Sequence, residues 1–92
     1  MRKADIVKNI VKQTGLEKDS VQKVVDLFMR NVENAVVEGE AVYLRGFGSF
    51  IVKHRKAKKA RNISQNISIE VPAHNIPAFK PAKSFVAKLD KN

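Results

Sequence analysis

A run of cations in the middle of the chain is the feature best suited to a binding chemistry. Six of the nine residues from 53 to 61 are positive: Lys53, Arg55, Lys56, Lys58, Lys59 and Arg61. Lysine and arginine side chains bind anionic groups such as phosphates, so the run predicts a site for a polyanion. Ile63 follows the run and precedes a short polar turn at residues 64–66. Solubility alone does not explain an apolar side chain at the end of a cationic segment.

The charge of the whole chain agrees with a polyanion-binding site. The 92 residues include 18 lysines and arginines and 9 aspartates and glutamates, which gives a net charge of +9. Residues 1–40 are balanced, whereas residues 41–92 hold eleven basic side chains and two acidic ones, Glu70 and Asp90. A one-sided basic half indicates a polyanion partner, although charge does not distinguish DNA, RNA and anionic lipid.

Catalytic and metal sites have little support in the sequence. The chain has no cysteine, and His54 and His74 have no carboxylate cluster at metal-ligand spacing. The glycines match neither a phosphate-binding loop nor G-x-G-x-x-G. We therefore predict no enzyme activity, no metal and no cofactor. No apolar run reaches transmembrane length and the N-terminal stretch is no secretory signal, so a cytoplasmic protein without membrane association is expected.

The first forty residues carry two helical patterns. Apolar residues recur at three- and four-residue steps over residues 4–14, and Gly15 stands where a helix usually ends. A second pattern runs from about Lys18 to residues 38–39, with a wide apolar arc. A wide arc on a long helix favours two packing partners, and one of them is expected to come from another subunit.

From residue 41 onward the apolar period changes to two, which predicts strands. Residues 41–44 form a short strand, residues 45–48 form a glycine-containing turn, and a second strand runs without a break from Ser49 to the polar turn. The outer part of the resulting hairpin, about residues 53–73, has little apolar surface to bury and is expected to project as an arm. A last short helix is predicted over residues 82–90.

Three motifs in this order point to a known family. They are GFGSF at residues 46–50, the basic segment that ends in Ala60-Arg61-Asn62, and NIPAFKPAKSF at residues 75–85. Together they resemble the HU / integration host factor family of bacterial DNA-bending proteins, and HU in particular. The resemblance implies an α+β fold with two N-terminal helices, a three-stranded antiparallel β-sheet with a long protruding β-hairpin arm, a short C-terminal helix, and an intertwined dimer.

The resemblance also implies a domain organisation and a function. Residues 1–92 are expected to be one HU-type DNA-binding domain, with a helical dimerisation part at 1–40 and the sheet at 41–80. Such a histone-like protein binds double-stranded DNA in the minor groove with little sequence specificity, bends it and organises the nucleoid. Bent, nicked or flexible DNA is the preferred partner because its deformation costs less. A homodimer is expected, and a heterodimer with a paralogue stays open.

Individual residues take their expected roles from the same resemblance. Ile63 stands where the family usually has a proline that wedges between stacked bases, and isoleucine is one of the apolar side chains able to intercalate. The residues expected to contact DNA are Lys3, Lys18, Arg45, Lys53, Arg55, Lys56, Lys58, Lys59, Arg61, Asn62, Lys80 and Lys83. The aromatic residues expected in the dimer core are Phe28, Phe47, Phe50 and Phe79.

Two other binding functions compete with DNA bending. The same basic arm would suit structured RNA, so an RNA-binding module is the alternative function and RNA the alternative partner. A membrane-surface or glycan-binding role would favour a basic amphipathic helix, whereas these cations lie on a strand arm. Neither alternative accounts for the apolar residue at the tip.

Overall fold

The computed structural model describes residues 1–62 and 67–90, which form helices and antiparallel strands. The elements are α1 (Lys3–Thr14), α2 (Lys18–Val37), β1 (Val42–Leu44), β2 (Gly48–Arg55), β3 (Lys58–Asn62), β4 (Ile67–Val71), β5 (His74–Pro81) and α3 (Lys83–Leu89). The predicted α+β class is confirmed. The chain divides into two compact units, Met1–Ala35 and Val36–Asn92.

The first unit is built from α1 and most of α2. At the start of α1 the Asp5 carboxylate accepts a hydrogen bond of 2.9 Å from the backbone N–H of Arg2. The helix ends as predicted at Gly15, whose φ of 73° places it in the left-handed region that glycine adopts without steric cost. Val7 and Val21 are the buried hydrophobic residues of this unit, one on each helix.

The second unit contains a three-stranded antiparallel sheet in the order β1-β2-β5. Its short turn between β1 and β2 closes with a hydrogen bond of 2.9 Å from the Phe47 N–H to the Leu44 carbonyl, and Gly46 takes a φ of 78° there. The Ala82 N–H donates to the Phe47 carbonyl at 2.9 Å. This bond fixes the start of α3 beside the turn, one residue later than the sequence predicted.

The arm differs from the continuous hairpin that the sequence predicted. The outgoing strand stops at Arg55 and resumes at Lys58, and the returning strand stops at Val71 and resumes at His74. The pair β3-β4 is therefore a sheet of its own. Pro72 supplies the physical reason, since proline has no N–H to donate to the ladder. The turn at residues 63–66 lies outside the described residues.

Four phenylalanines form an aromatic cluster on one face of the sheet. The ring centroids of Phe47 and Phe79 lie 5.2 Å apart, those of Phe50 and Phe79 5.0 Å, and those of Phe47 and Phe85 5.5 Å. These separations are typical of favourable aromatic pairs. Phe47 and Phe79 nevertheless keep 45% and 39% of their surface exposed. The cluster is therefore assembled within the chain but only half covered by it.

We expect Gly48→Ala to destabilise the sheet more than Gly46→Ala. A Cβ at Gly48 would lie 2.6 Å from both the Lys80 carbonyl oxygen and the Phe79 ring, whereas a Cβ at Gly46 would meet nothing within 4 Å. Overpacking against backbone should cost about 2–3 kcal/mol, while the left-handed conformation at Gly46 should cost about 1 kcal/mol. Urea denaturation measures both. Equal losses would contradict the close approach at Gly48.

Candidate nucleic-acid interface

Most of the predicted cations lie along the arm and are exposed to solvent. Arg55 ends β2, Lys56 lies in the interruption, and Lys58 and Lys59 begin β3. The base of the arm is held by the long β2-β5 pairing, in which Lys53 lies opposite Ile76. Asn75 Oδ1 lies 2.8 Å from Nδ1 of His54 on the neighbouring strand and ties the two strands together. A rigid sheet thus presents the cationic segment to solvent.

Within residues 1–60 and 67–90, the cations of the arm form no ion pair with a carboxylate. Glu70 lies directly opposite Lys59 in the β3-β4 register. Even so, the only ion pair among residues 1–60 and 67–90 joins Lys3 and Asp26. Because exposed, unpaired ammonium and guanidinium groups bind phosphates without first losing a protein partner, the arm is the part of this chain best suited to a polyanion.

A second basic surface lies on the sheet beside the start of α3. Register places Tyr43, Ser49 and Lys80 side by side on one face of the sheet. Arg45 of the turn and Lys83, the first residue of α3, line the same shallow hollow. The three predicted cations therefore come together here. Tyr43 is strongly exposed at the same place, but it was not predicted as a DNA contact. Alternation along the strands could have indicated it, because Tyr43 lies on the face of the sheet opposite Phe50 and Phe79.

The helical unit holds the remaining two predicted lysines. Lys3 and Lys18 line one groove between α1 and α2. Lys3 is already engaged, since its Nζ lies 2.8 Å from Asp26 Oδ1 on α2. Both side chains are nearly half exposed, so the ion pair contributes little to stability, and Lys3 readily exchanges Asp26 for a phosphate.

The structure places the other predicted residues unevenly. Arg61 and Asn62 end β3, where their backbones pair with Ser68 and Ile67. Ile63, the predicted wedge, lies outside the described residues.

Three of the four predicted aromatic core residues meet in the phenylalanine cluster. The fourth, Phe28, lies half exposed on α2. Sequence reasoning did not place Phe85 in this core, although its spacing in the last helix put it on an apolar face.

Fold and site together define a class of protein. A small α+β chain that presents an exposed cationic strand pair is built to bind a polyanion along an extended groove rather than in a pocket. Within residues 1–62 and 67–90, no helix is both long enough and apolar enough to span a bilayer. The same residues contain no group of three or more histidines and carboxylates arranged to hold a metal ion.

Comparison with known proteins assigns the family. A family model described as bacterial DNA-binding protein matches residues 1–90, and this chain belongs to that family, whose members include HU. The DNA-binding protein HU of Thermus thermophilus is 40% identical over 89 residues, which cover 97% of this chain and 92% of that protein. HU-1 of Halalkalibacterium halodurans is 42% identical over 85 residues, covering 92% and 94% of the two chains.

Solved structures agree with this assignment. Anabaena HU, crystallised with DNA, matches with a TM-score of 0.92 and 33% identity, and the match covers 100% of both chains. HU from Thermotoga maritima matches with a TM-score of 0.68 and 25% identity over 97% of this chain and 98% of that one. The fold predicted from the resemblance is therefore the fold of HU.

We expect Lys59→Gln to weaken the salt dependence of duplex DNA binding more than Lys3→Gln does. Each phosphate contact by a free cation releases counterion and adds about 0.9 to the slope of log K against log salt. Lys59 has no ion-pair partner among the described residues, whereas Lys3 must first leave Asp26. Fluorescence anisotropy titrations at several salt concentrations measure both slopes. A larger change for Lys3→Gln would contradict this ranking.

Proposed function

We propose that this protein is an architectural, histone-like DNA-binding protein that bends double-stranded DNA and organises the bacterial nucleoid. Its arm lies in the minor groove and binds with little sequence specificity, because phosphate contacts carry no base identity and the minor groove shows a degenerate pattern. Membership of the bacterial DNA-binding protein family supports this function. The reported relatives are DNA-binding proteins, and none of them supports the RNA-binding alternative.

The observation that carries the proposal is the exposed strand pair with unpaired cations. Lys58 and Lys59 open β3, and Arg55 and Lys56 stand at its base. An extended strand pair fits along a groove, and its basic side chains reach phosphates on the groove walls. The basic hollow at Arg45, Lys80 and Lys83 and the groove at Lys3 and Lys18 supply further phosphate contacts on the flanks of a bend.

The tip of the arm supplies the bend itself in this proposal. Ile63 intercalates at one base step, and Arg61 and Asn62 hold it at the groove. Unstacking one step costs a few kcal/mol, which contacts along the bent duplex offset. DNA that is already bent, nicked or flexible is preferred, because less of this cost remains.

Dimerisation is the second part of the proposal. Val7 and Val21 are the only buried hydrophobic residues in the part of the chain that the structure describes. Two buried valines are far too little core for a chain of this length. Half-exposed Phe28, Phe47 and Phe79 need a cover, and a second copy of this chain provides it. A paralogue with the same interface residues would serve equally well, which leaves a heterodimer possible in the cell.

We expect the protein to unfold as a dimer. Its molar mass in dilute buffer should be twice the 10.3 kDa of the chain. Its Tm should rise with protein concentration, because unfolding is coupled to dissociation. Sedimentation equilibrium and thermal melts over a hundredfold concentration range measure both. A 10.3 kDa species with a concentration-independent Tm would refute the dimer.

We expect wild-type protein to shorten the end-to-end distance of a doubly labelled DNA duplex of arbitrary sequence, and Ile63→Ala to bind but bend less. The alanine side chain is too small to hold a base step open. Fluorescence energy transfer between the duplex ends measures bending, and anisotropy on the same duplex measures binding.

Ser64→Ala is the matched control, since it changes the neighbouring residue without removing an apolar side chain. Bending by Ile63→Ala equal to that of wild type would discard Ile63 as the wedge but keep the architectural function. Binding by wild type without bending would contradict the proposed function.

A further inference from the structure

The arm has one apolar face that the cationic chemistry does not use. In the β3-β4 register Ala60 lies opposite Ile69 and Lys58 opposite Val71. Since side chains alternate along a strand, Ile67 shares the face of Ile69. Ile67 and Ile69 keep 49% and 44% of their surface exposed. Two adjacent isoleucines therefore form an apolar stripe that the chain leaves uncovered.

The opposite face of the same strand pair is polar. It carries Lys59 and, directly across from it, Glu70, with Ser68 two residues earlier on β4. The Glu70 carboxylate opposes insertion of this face between the two anionic rims of a groove, although the long Lys59 side chain still reaches a phosphate at the rim. The face with the isoleucines holds no acidic residue, and Lys58 lies at its base. The apolar face is therefore the better fit to the interior of a groove whose rims are anionic.

The walls of a nucleic-acid minor groove differ between DNA and RNA. In DNA they are formed by deoxyribose, which presents carbon and no hydroxyl at the 2′ position. An RNA duplex instead displays its 2′-hydroxyl groups in a wide, shallow minor groove. Isoleucine offers no hydrogen-bond partner, so a hydroxyl covered by it loses its water without compensation. An isoleucine stripe inside the groove therefore favours DNA and penalises RNA.

We propose that Ile67 and Ile69 are specificity-determining residues that make the arm select deoxyribose over ribose duplexes. The proposal rests on the function proposed above, since it requires the arm to lie in a minor groove. It assigns two separate tasks to the arm. The cations supply affinity for any polyanion, and the apolar face selects the sugar.

The test compares wild type with the double variant Ile67→Thr/Ile69→Thr. Threonine keeps the branched Cβ that suits a strand, but it has a hydroxyl where isoleucine has an ethyl group. Anisotropy titrations measure Kd for a DNA duplex and an RNA duplex of matched sequence and length, at one salt concentration. Wild type should bind the DNA duplex more tightly than the RNA duplex. In the double variant the ratio of the two Kd values should fall on the order of tenfold, because apolar contact with DNA is lost and the RNA hydroxyls regain a hydrogen-bond partner.

Two controls make the outcome specific. Ser68→Thr places the same residue between the two isoleucines but on the opposite face, and it should keep the wild-type preference. Ile67→Val/Ile69→Val keeps the face apolar and should also keep it. Circular dichroism melts verify that all variants fold.

Each other result overturns the sugar-selection proposal. It fails if wild type binds both duplexes equally, if the threonine variant weakens both to the same extent, or if neither affinity changes. It also fails if the variant changes only the oligomeric state, which would assign the apolar face to a second copy of this chain. The energy-transfer assay on wild type tests DNA bending independently of these titrations. A failure of the proposed function can therefore be distinguished from a failure of sugar selection.

Discussion

Incomplete burial of apolar surface within one chain is the constraint on which the rest of this structure depends. Ninety-two residues without cysteine have neither the bulk for a large core nor a disulfide to replace one. Packing within the described chain buries Val7 and Val21 and assembles the phenylalanine cluster, but it leaves Phe47 and Phe79 nearly half exposed. In the dimer proposed above, a second copy covers this surface, and two copies bring two arms to one nucleic acid.

The arm buries little apolar surface of its own, so its stability depends on the pairing of β2 with β5 at its base. A two-stranded ribbon alone is marginal in water. Eight cross-strand pairs between β2 and β5 and the contact of His54 with Asn75 give it a firm base. Beyond Arg55 and Pro72 the ladder restarts as a separate strand pair. Within residues 1–60 and 67–90, no carboxylate pairs with the lysines of this strand pair and no apolar residue covers Ile67 and Ile69 fully, so these side chains stay exposed.

Charge on the body of the protein is arranged differently from charge on the arm. Lys3 is held by Asp26, whereas Arg45, Lys80 and Lys83 share an exposed hollow. An ion pair between half-exposed partners is worth little and exchanges readily for phosphate. In the function proposed above, the lysines of the arm therefore bind phosphate without first breaking an ion pair. In the same proposal, Lys3 of the helical unit binds phosphate only after it has released Asp26.

The sequence by itself determined the α+β class, the helix end at Gly15, the turn at Gly46 and the location of the cations, because these depend on local periodicity, backbone freedom and composition. The GFGSF and NIPAFKPAKSF motifs also determined the family. Only the tertiary structure decided which side chains meet. It brought Phe85 into the aromatic cluster, paired Lys3 with Asp26 across 23 residues, and interrupted the arm beside Pro72. It also set the β3-β4 register that gathers Ile67 and Ile69 on one face. Register and long-range pairing depend on contacts between segments distant in the chain, and a local pattern does not encode them.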